Sequence, residues 1–263
     1  MVRVTDQLII EKDNGVGRIM LNNQERRNAM TFEMWRDLPT ILDDYQADDE
    51  IRAVVISGKG RKAFCAGADI SQFEKNRSSE EATIIYNEAV SKASINLAKI
   101  TKPTIAKIEG FCIGGGLGIA MCCDIRIAND VSSYAIPAAK LGLGYGHEGL
   151  KRLVDVVGPS VAKEIFFTAR QFTAQEAFGM GLINRVLPRA VLDSYVADYA
   201  NRIATNAPLT ILAAKVVIDE LMKAENMDQD LCDQVVANCF ASEDYQEGRK
   251  AFMEKRKPMF KCR

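Results

Sequence analysis

Histidine is nearly missing from this chain: His147 is the only one in 263 residues. One imidazole with no carboxylate cluster around it gives no metal site, and no phosphate-binding glycine–lysine motif occurs either. Net charge is also lacking, at −1, so no strong overall field draws the protein to nucleic acid or an anionic membrane. No apolar run approaches the ~18 residues of a membrane span. Residues 1–11 alternate and lack the apolar centre of a signal peptide, and the expected location is cytoplasmic. The seven cysteines are odd in number and form no zinc-type ladder. Cys122 and Cys123 are adjacent, and Cys65, Cys112, Cys232 and Cys239 lie in apolar or mixed segments, as free thiols in a reducing compartment do. There is no low-complexity stretch and no repeat of fixed length.

What is present is ordinary for a globular protein: 48% hydrophobic and 26% charged residues. The length allows one large domain, or a domain with an appendage, whose core needs no staple. Residues 8–12 and 16–21 are predicted strands joined by the hairpin signal Asn14-Gly15. Thr31 is a predicted N-cap for a helix over 32–45, with Pro39 expected to kink or shift it. Strands are expected at 53–58, 103–109 and 124–128, and helices at 82–100, 115–123, 161–168 and 174–180. Beyond about Pro188 the character becomes helical, with helices over 190–205, 210–223, 228–241 and 244–256. The expected class is α/β, with a core over 1–188 and a helical region over 189–263.

Two segments carry chemistry. Ile108-Glu109-Gly110-Phe111-Cys112-Ile113 leads into Gly114-Gly115-Gly116, then into the small-residue run Leu117-Gly118-Ile119-Ala120. Glycines let a ligand approach the main chain, and the following helix presents free N–H groups and the positive end of its dipole. A tight packed turn reads equally well there. The second segment, Ala63-Phe64-Cys65-Ala66-Gly67-Ala68-Asp69-Ile70, follows the 53–58 strand and the basic Lys59-Gly60-Arg61-Lys62. N–H groups from two such turns can converge on one carbonyl oxygen, each worth roughly 3 kcal/mol to a developing oxyanion.

These segments, with Leu21-Asn22, Arg27-Asn28-Ala29, Met121-Cys122-Cys123-Asp124, Phe172-Thr173-Ala174, Gly181-Leu182-Ile183-Asn184 and the tail from Ser242 to Pro258, resemble the crotonase (enoyl-CoA hydratase/isomerase) superfamily across essentially the whole chain. The resemblance implies a spiral of ββα units, and a helical C-terminal region that forms a homotrimer or a dimer of trimers and closes over coenzyme A. It implies an acyl-CoA substrate and no tightly bound cofactor, coenzyme A entering as part of the thioester. By position, Ala68 and Gly115 would supply the oxyanion-hole N–H groups. Ala66, Asp69 and Ile70 would border the adenine and pantetheine path, Arg26 and Arg27 the nucleotide end. Phe252 and Lys255 would reach a neighbouring subunit's coenzyme A, although Lys255 also reads as one charge of the run Glu254-Lys255-Arg256-Lys257.

Hydratases resembling this chain use two glutamates, one two residues after the triple glycine and one after a proline. Gly118 stands at the first position and Ala138, after Pro137, at the second. Neither side chain transfers a proton. The loop Lys140-Leu141-Gly142-Leu143-Gly144-Tyr145-Gly146-His147-Glu148-Gly149 supplies the candidates: Tyr145 as hydrogen-bond donor or acid, His147 and Glu148 as acid or base. Glu148 could instead pair with Lys151 or Arg152. Tyr145 matches by position a tyrosine of the methylmalonyl-CoA decarboxylases, and Ser242-Glu243-Asp244-Tyr245-Gln246-Glu247-Gly248 is similar to their tail, but Ala68 stands where they carry histidine. Malonyl-type decarboxylation, non-catalytic acyl-CoA binding and thioester hydrolysis are therefore alternatives to hydration. Acyl selectivity is expected from residues between Phe73 and Tyr86 and from the Tyr145 loop. Gly144-Tyr145-Gly146-His147-Glu148-Gly149, with Glu164 further on, has dinucleotide-fingerprint spacing but follows a poor strand, so no nicotinamide site is expected.

Overall fold

The structure, a computed structural model of the chain, describes residues 4–72 and 78–263; Phe73 and residues 1–3 lie outside them. The expected hairpin forms, with β1 (Leu8–Asp13) antiparallel to β2 (Val16–Leu21). Asn14 (φ 49°) and Gly15 (φ 78°) both take the left-handed conformation that a two-residue hairpin turn requires. Beyond β2 the sheet continues in parallel through β3 (Ala53–Gly58), β5 (Thr104–Ile108), β7 (Ile125–Asn129) and β10 (Arg185–Leu187), in the order β1-β2-β3-β5-β7-β10. Covered on both faces, β3 is buried from Ala53 to Ser57, which is why it reads as an unbroken apolar run.

A second sheet, in the order β4-β6-β8-β9, is built from β4 (Ala63–Cys65), β6 (Phe111–Ile113), β8 (Ser133–Ala135) and β9 (Phe172–Thr173). The chain steps from large to small sheet three times, β3 to β4, β5 to β6 and β7 to β8. After each step it enters a helix: α2 (Glu80–Lys99), α3 (Gly115–Cys122) and α4 (Ala138–Leu141). This is the expected succession of ββα units. The four short strands were not expected individually; at two or three residues they show no period.

Helix α1 (Phe32–Ala47) begins where expected, Thr31 Oγ1 accepting from the Met34 N–H at 3.3 Å. Pro39 lies inside the helix and does not end it. The helix continues unbroken, its register held by buried Met34, Leu38, Ile41, Leu42 and Tyr45 despite the missing N–H. Helix α5 (His147–Thr168) is much longer than the 161–168 segment the pattern indicates, and it is bent at Gly158 (φ 76°) before Pro159. Helix α6 is Ala174–Gly179.

The C-terminal helices are α7 (Leu192–Thr205), α8 (Pro208–Leu221), α9 (Gln229–Ala241) and α10 (Glu243–Met253). Leu192, Val196, Ala200 and Ala204 of α7 pack on Val16, Val55, Ile105 and Ile127, covering one face of the large sheet. α9 packs on α8, and Phe240, Phe252 and Met253 stay exposed. All seven cysteines are free, five of them buried. Among the described residues no helix is long and apolar enough to cross a membrane.

The small sheet and α3 approach each other at Gly116, where a β-carbon would lie 2.3 Å from the Cys65 carbonyl oxygen; at Gly118 it would meet nothing within 4 Å. Gly116→Ala is therefore expected to destabilise the fold by about 2 kcal/mol or more. Gly118→Ala, two residues along the same helix, is expected to leave stability unchanged or raise it by up to ~1 kcal/mol. Urea midpoints of the two variants check the contrast; equal losses would contradict this packing.

Candidate functional site

The site begins with an alternation of backbone groups. Met30 forms a parallel bridge with Ala68, in which the Met30 N–H donates to the Gly67 carbonyl (2.8 Å) and the Asp69 N–H to the Met30 carbonyl (2.9 Å). Strand geometry turns the groups of the residue between them the other way, so the Ala68 N–H points away from Met30. Gly67, at φ 107°, makes the turn possible. Opposite it, Gly114 (φ 54°, ψ −117°) ends β6 and opens α3, its N–H bound to the Ala135 carbonyl at 2.8 Å. The next N–H, on Gly115, belongs to the first turn and has no intrahelical acceptor. A β-carbon built on Gly115 would lie 3.6 Å from the Ala68 nitrogen. Two backbone donors thus stand side by side, and among the described residues neither meets an acceptor.

They open into a cavity of about 610 Å³. One wall is Ala66, Gly67 and Ala68; the next is a face of α3 formed by Gly115, Gly118, Met121 and Cys122. Asn87, Val90, Ser91 and Ser94 of α2 form the third, and residues 136–138 and 143–149 with Arg152 form the fourth. Trp35 closes the side nearest the donors. Its Cζ2 would lie 3.3 Å from a β-carbon on Gly115, and its buried Nε1 has no hydrogen-bond partner among the described residues.

Of the proton-transfer candidates, all three line this cavity. Tyr145 is partly buried, edge-on to Phe166 with ring centroids 5.0 Å apart. Burial pushes its phenol above the ordinary value of 10. His147 and Glu148 sit in the first turn of α5, exposed, rather than in an open glycine loop. Ser91 Oγ donates to Glu148 Oε2 at 3.4 Å. The alternative pairing of Glu148 with Lys151 or Arg152 is not found among the described residues, since Lys151 turns to Asp155 at 2.6 Å.

The expected coenzyme A contacts divide. Ala66, Ala68 and Ile70 line the cavity. Asp69 does not; its carboxylate accepts from the Ser71 N–H (3.0 Å) and hydroxyl (2.6 Å), tying down the turn that carries Ala68. Arg26 and Arg27 are exposed outside the lining, the Arg27 guanidinium 4.7 Å from the Phe111 ring centre. Phe252, 84% exposed, and Lys255 lie beyond α9, also outside the lining. Gly118 and Ala138 both line the cavity. The fingerprint-like glycines lack the context of a dinucleotide site: α4 precedes them, and Glu164 lies within α5, paired with Arg170 at 3.1 Å. Trp35, Ser94, Cys122 and Arg152 are the lining residues that sequence pattern did not select. Only Arg152, one helical turn past Glu148, carried any signal.

Known proteins share this architecture from end to end. The family model described as enoyl-CoA hydratase/isomerase matches residues 11–263. The short-chain-enoyl-CoA hydratase of Clostridium acetobutylicum is 34% identical over 254 residues, 96% of each chain. The crotonyl-CoA hydratase of Syntrophomonas wolfei is 34% identical over 97% of this chain and 98% of its own. Among solved structures, an enoyl-CoA hydratase/carnithine racemase from Magnetospirillum magneticum superposes with a TM-score of 0.94 at 34% identity, covering 98% of this chain and 97% of that one. A Bacillus anthracis enoyl-CoA hydratase gives 0.90 at 29%, covering 98% and 100%. A ββα spiral this closely shared, with sequence likeness running through both donor turns, makes this chain a member of the enoyl-CoA hydratase/isomerase family, within the crotonase superfamily.

Proposed function

We infer that the protein is an acyl-CoA-processing enzyme in which the Ala68 and Gly115 N–H groups bind the thioester oxygen and stabilise an enolate. The observation that carries this is the pair of adjacent, unpartnered backbone donors at the head of the cavity. Each donor of this kind lowers the barrier by roughly 3 kcal/mol as charge develops on the oxygen. The positive end of α3 adds to the effect. Coenzyme A enters with the substrate, and no tightly bound cofactor is required.

In hydration of an enoyl thioester, Glu148 accepts a proton from water while the water oxygen bonds to the β-carbon. The electron pair moves through the α-carbon to the thioester oxygen, the enolate collapses as Tyr145 gives its phenolic proton to the α-carbon, and the proton held by Glu148 passes through water to the Tyr145 phenolate, restoring both groups. His147 stands beside both as a second exchangeable group. The names of the Clostridium and Syntrophomonas relatives support hydration. Gly118 and Ala138, at the positions of the usual glutamates, move the proton chemistry to α5. They also motivate a second reading, decarboxylation of a malonyl-type thioester. There loss of carbon dioxide generates the enolate with no base at Gly118, where a β-carbon would meet nothing within 4 Å.

Exposed Phe240, Phe252 and Met253 support a trimer built through the C-terminal helices. In that assembly Phe252 and Lys255 meet a neighbour's coenzyme A, while Arg26 and Arg27 border the nucleotide end of the coenzyme A in their own subunit. Buried free thiols support a cytoplasmic setting.

Incubation with a panel of acyl-CoAs, crotonyl-CoA and methylmalonyl-CoA included, and product masses test the proposal. Gain of water is expected; loss of carbon dioxide would transfer the assignment to the decarboxylase reading. Binding of every ester with conversion of none would contradict catalysis. Tyr145→Phe is expected to lower kcat by about a hundredfold with little change in KM; an unchanged kcat would remove Tyr145 from the reaction. Because burial raises the Tyr145 pKa, its protonated form persists through neutral pH and is lost only as pH rises through a value above 10. The Tyr145-dependent alkaline fall of kcat is therefore expected above pH 10, and a fall centred near pH 8 would contradict the assignment.

A further inference from the structure

Arg152 is a cation without a counter-charge. It lines the cavity and is partly buried, yet among the described residues its guanidinium makes no hydrogen bond or ion pair. Glu148, one turn earlier on α5, has the spacing to pair with it but is held by Ser91 instead. A partly buried guanidinium without a partner forgoes the charge-assisted hydrogen bonds its fork can make. At the wall of a ligand cavity it is a fork for a planar anion.

Its depth follows from α3. Gly115, Gly118, Met121 and Cys122 share the face that lines the cavity, so this face leads away from the thioester donors. From Gly115 to Cys122 the helix rises ~10 Å. Arg152 lies by Cys122, a thiol whose pKa burial pushes up while the nearby Arg152 charge and Ser94 hydroxyl oppose the rise. A guanidinium, a hydroxyl and a thiol therefore make a polar floor, where a purely hydrocarbon acyl group would want apolar side chains. Val90, Met121 and Ile136, also in the lining, provide the apolar surface for a methylene chain.

We propose that Arg152 binds a carboxylate at the far end of the acyl group, so that the substrate class is the monothioester of a dicarboxylic acid. This rests on the acyl-CoA reading of the cavity and narrows it. A chain of about five carbons, with bonds of ~1.5 Å and a hydrogen bond of ~3 Å at each end, spans the distance from donors to floor. A malonyl chain is too short to engage both ends. The bound carboxylate neutralises Arg152, and Glu148 stands about 6 Å away along the helix axis. Tyr86, Tyr145, His147 and Cys122 are the other titratable groups lining the space.

Calorimetric titration with glutaryl-CoA and hexanoyl-CoA tests the proposal on the wild-type protein, Arg152→Met and Arg152→Lys. Wild type is expected to bind glutaryl-CoA about tenfold more tightly than hexanoyl-CoA, a charge-assisted bidentate contact being the difference. Arg152→Met is expected to bring the ratio to one. Arg152→Lys is expected to keep part of it, since lysine retains the charge but not the fork. Equal affinities in wild type, or a preference that survives Arg152→Met, would overturn the carboxylate assignment while leaving the acyl-CoA reading intact. Failure of both esters to bind wild type would overturn both. If Arg152→Met does not fold, a wild-type ratio that Arg152→Lys leaves unchanged would equally overturn it.

Discussion

The whole site hangs on one close approach, that of the turn after β4 to the first turn of α3. Gly116 sits where any β-carbon would strike the Cys65 carbonyl, at 2.3 Å. Gly67 supplies the left-handed turn, and the Met30 bridge uses the backbone groups on either side of Ala68 while leaving its N–H unused. Asn28, buried and left-handed, joins the same region by donating to the Lys59 and Ala63 carbonyls at 3.0 and 2.8 Å. Both donors are main-chain groups fixed by the small sheet, the Met30 bridge and α3, so in the proposed reaction they need no reorganisation when charge develops before them.

Around that head the walls are side chains. In the proposed reaction backbone supplies the electrophilic contact, while α2, α5 and residues 136–149 supply side chains. Such a separation allows one backbone device to serve different reactions and acyl groups through changes of side chain. Here Gly118 and Ala138 line the cavity with side chains that carry no exchangeable proton, and the polar groups gather at Tyr145 and on the first two turns of α5. Tyr145 is half-withdrawn from water against Phe166, Glu148 is oriented by Ser91, and Arg152 is left with its charge uncompensated.

The large sheet, β10 apart, was legible in the sequence because its strands are apolar runs bounded by Gly, Pro or Asn, as in 53–58 and 103–109. The small sheet and β10 were not, because β4, β6, β8, β9 and β10 are too short to show alternation. The first half of α5 was hidden by Gly142, Gly144, Gly146 and Gly149, which read as a loop, and by the break at Gly158-Pro159. The donors Ala68 and Gly115 were indicated by glycine motifs and family resemblance together, and the structure brings them side by side. Asp69 was indicated by family resemblance alone; its Oδ1 accepts from both the N–H and the hydroxyl of Ser71, an intra-turn role that no sequence pattern marks. Trp35 and Arg152 gave little sign of facing the cavity. That property belongs to how α1 and α5 pack and not to their local sequence.

The central claim is that the Ala68 and Gly115 N–H groups polarise a thioester carbonyl. Infrared difference spectroscopy of a bound acyl-CoA carrying a ¹³C-labelled thioester carbonyl reads that contact directly. The labelled stretch is expected to move to lower wavenumber on binding, and to move less when Ala68→Pro removes one donor. A carbonyl band that binds without shifting would contradict it.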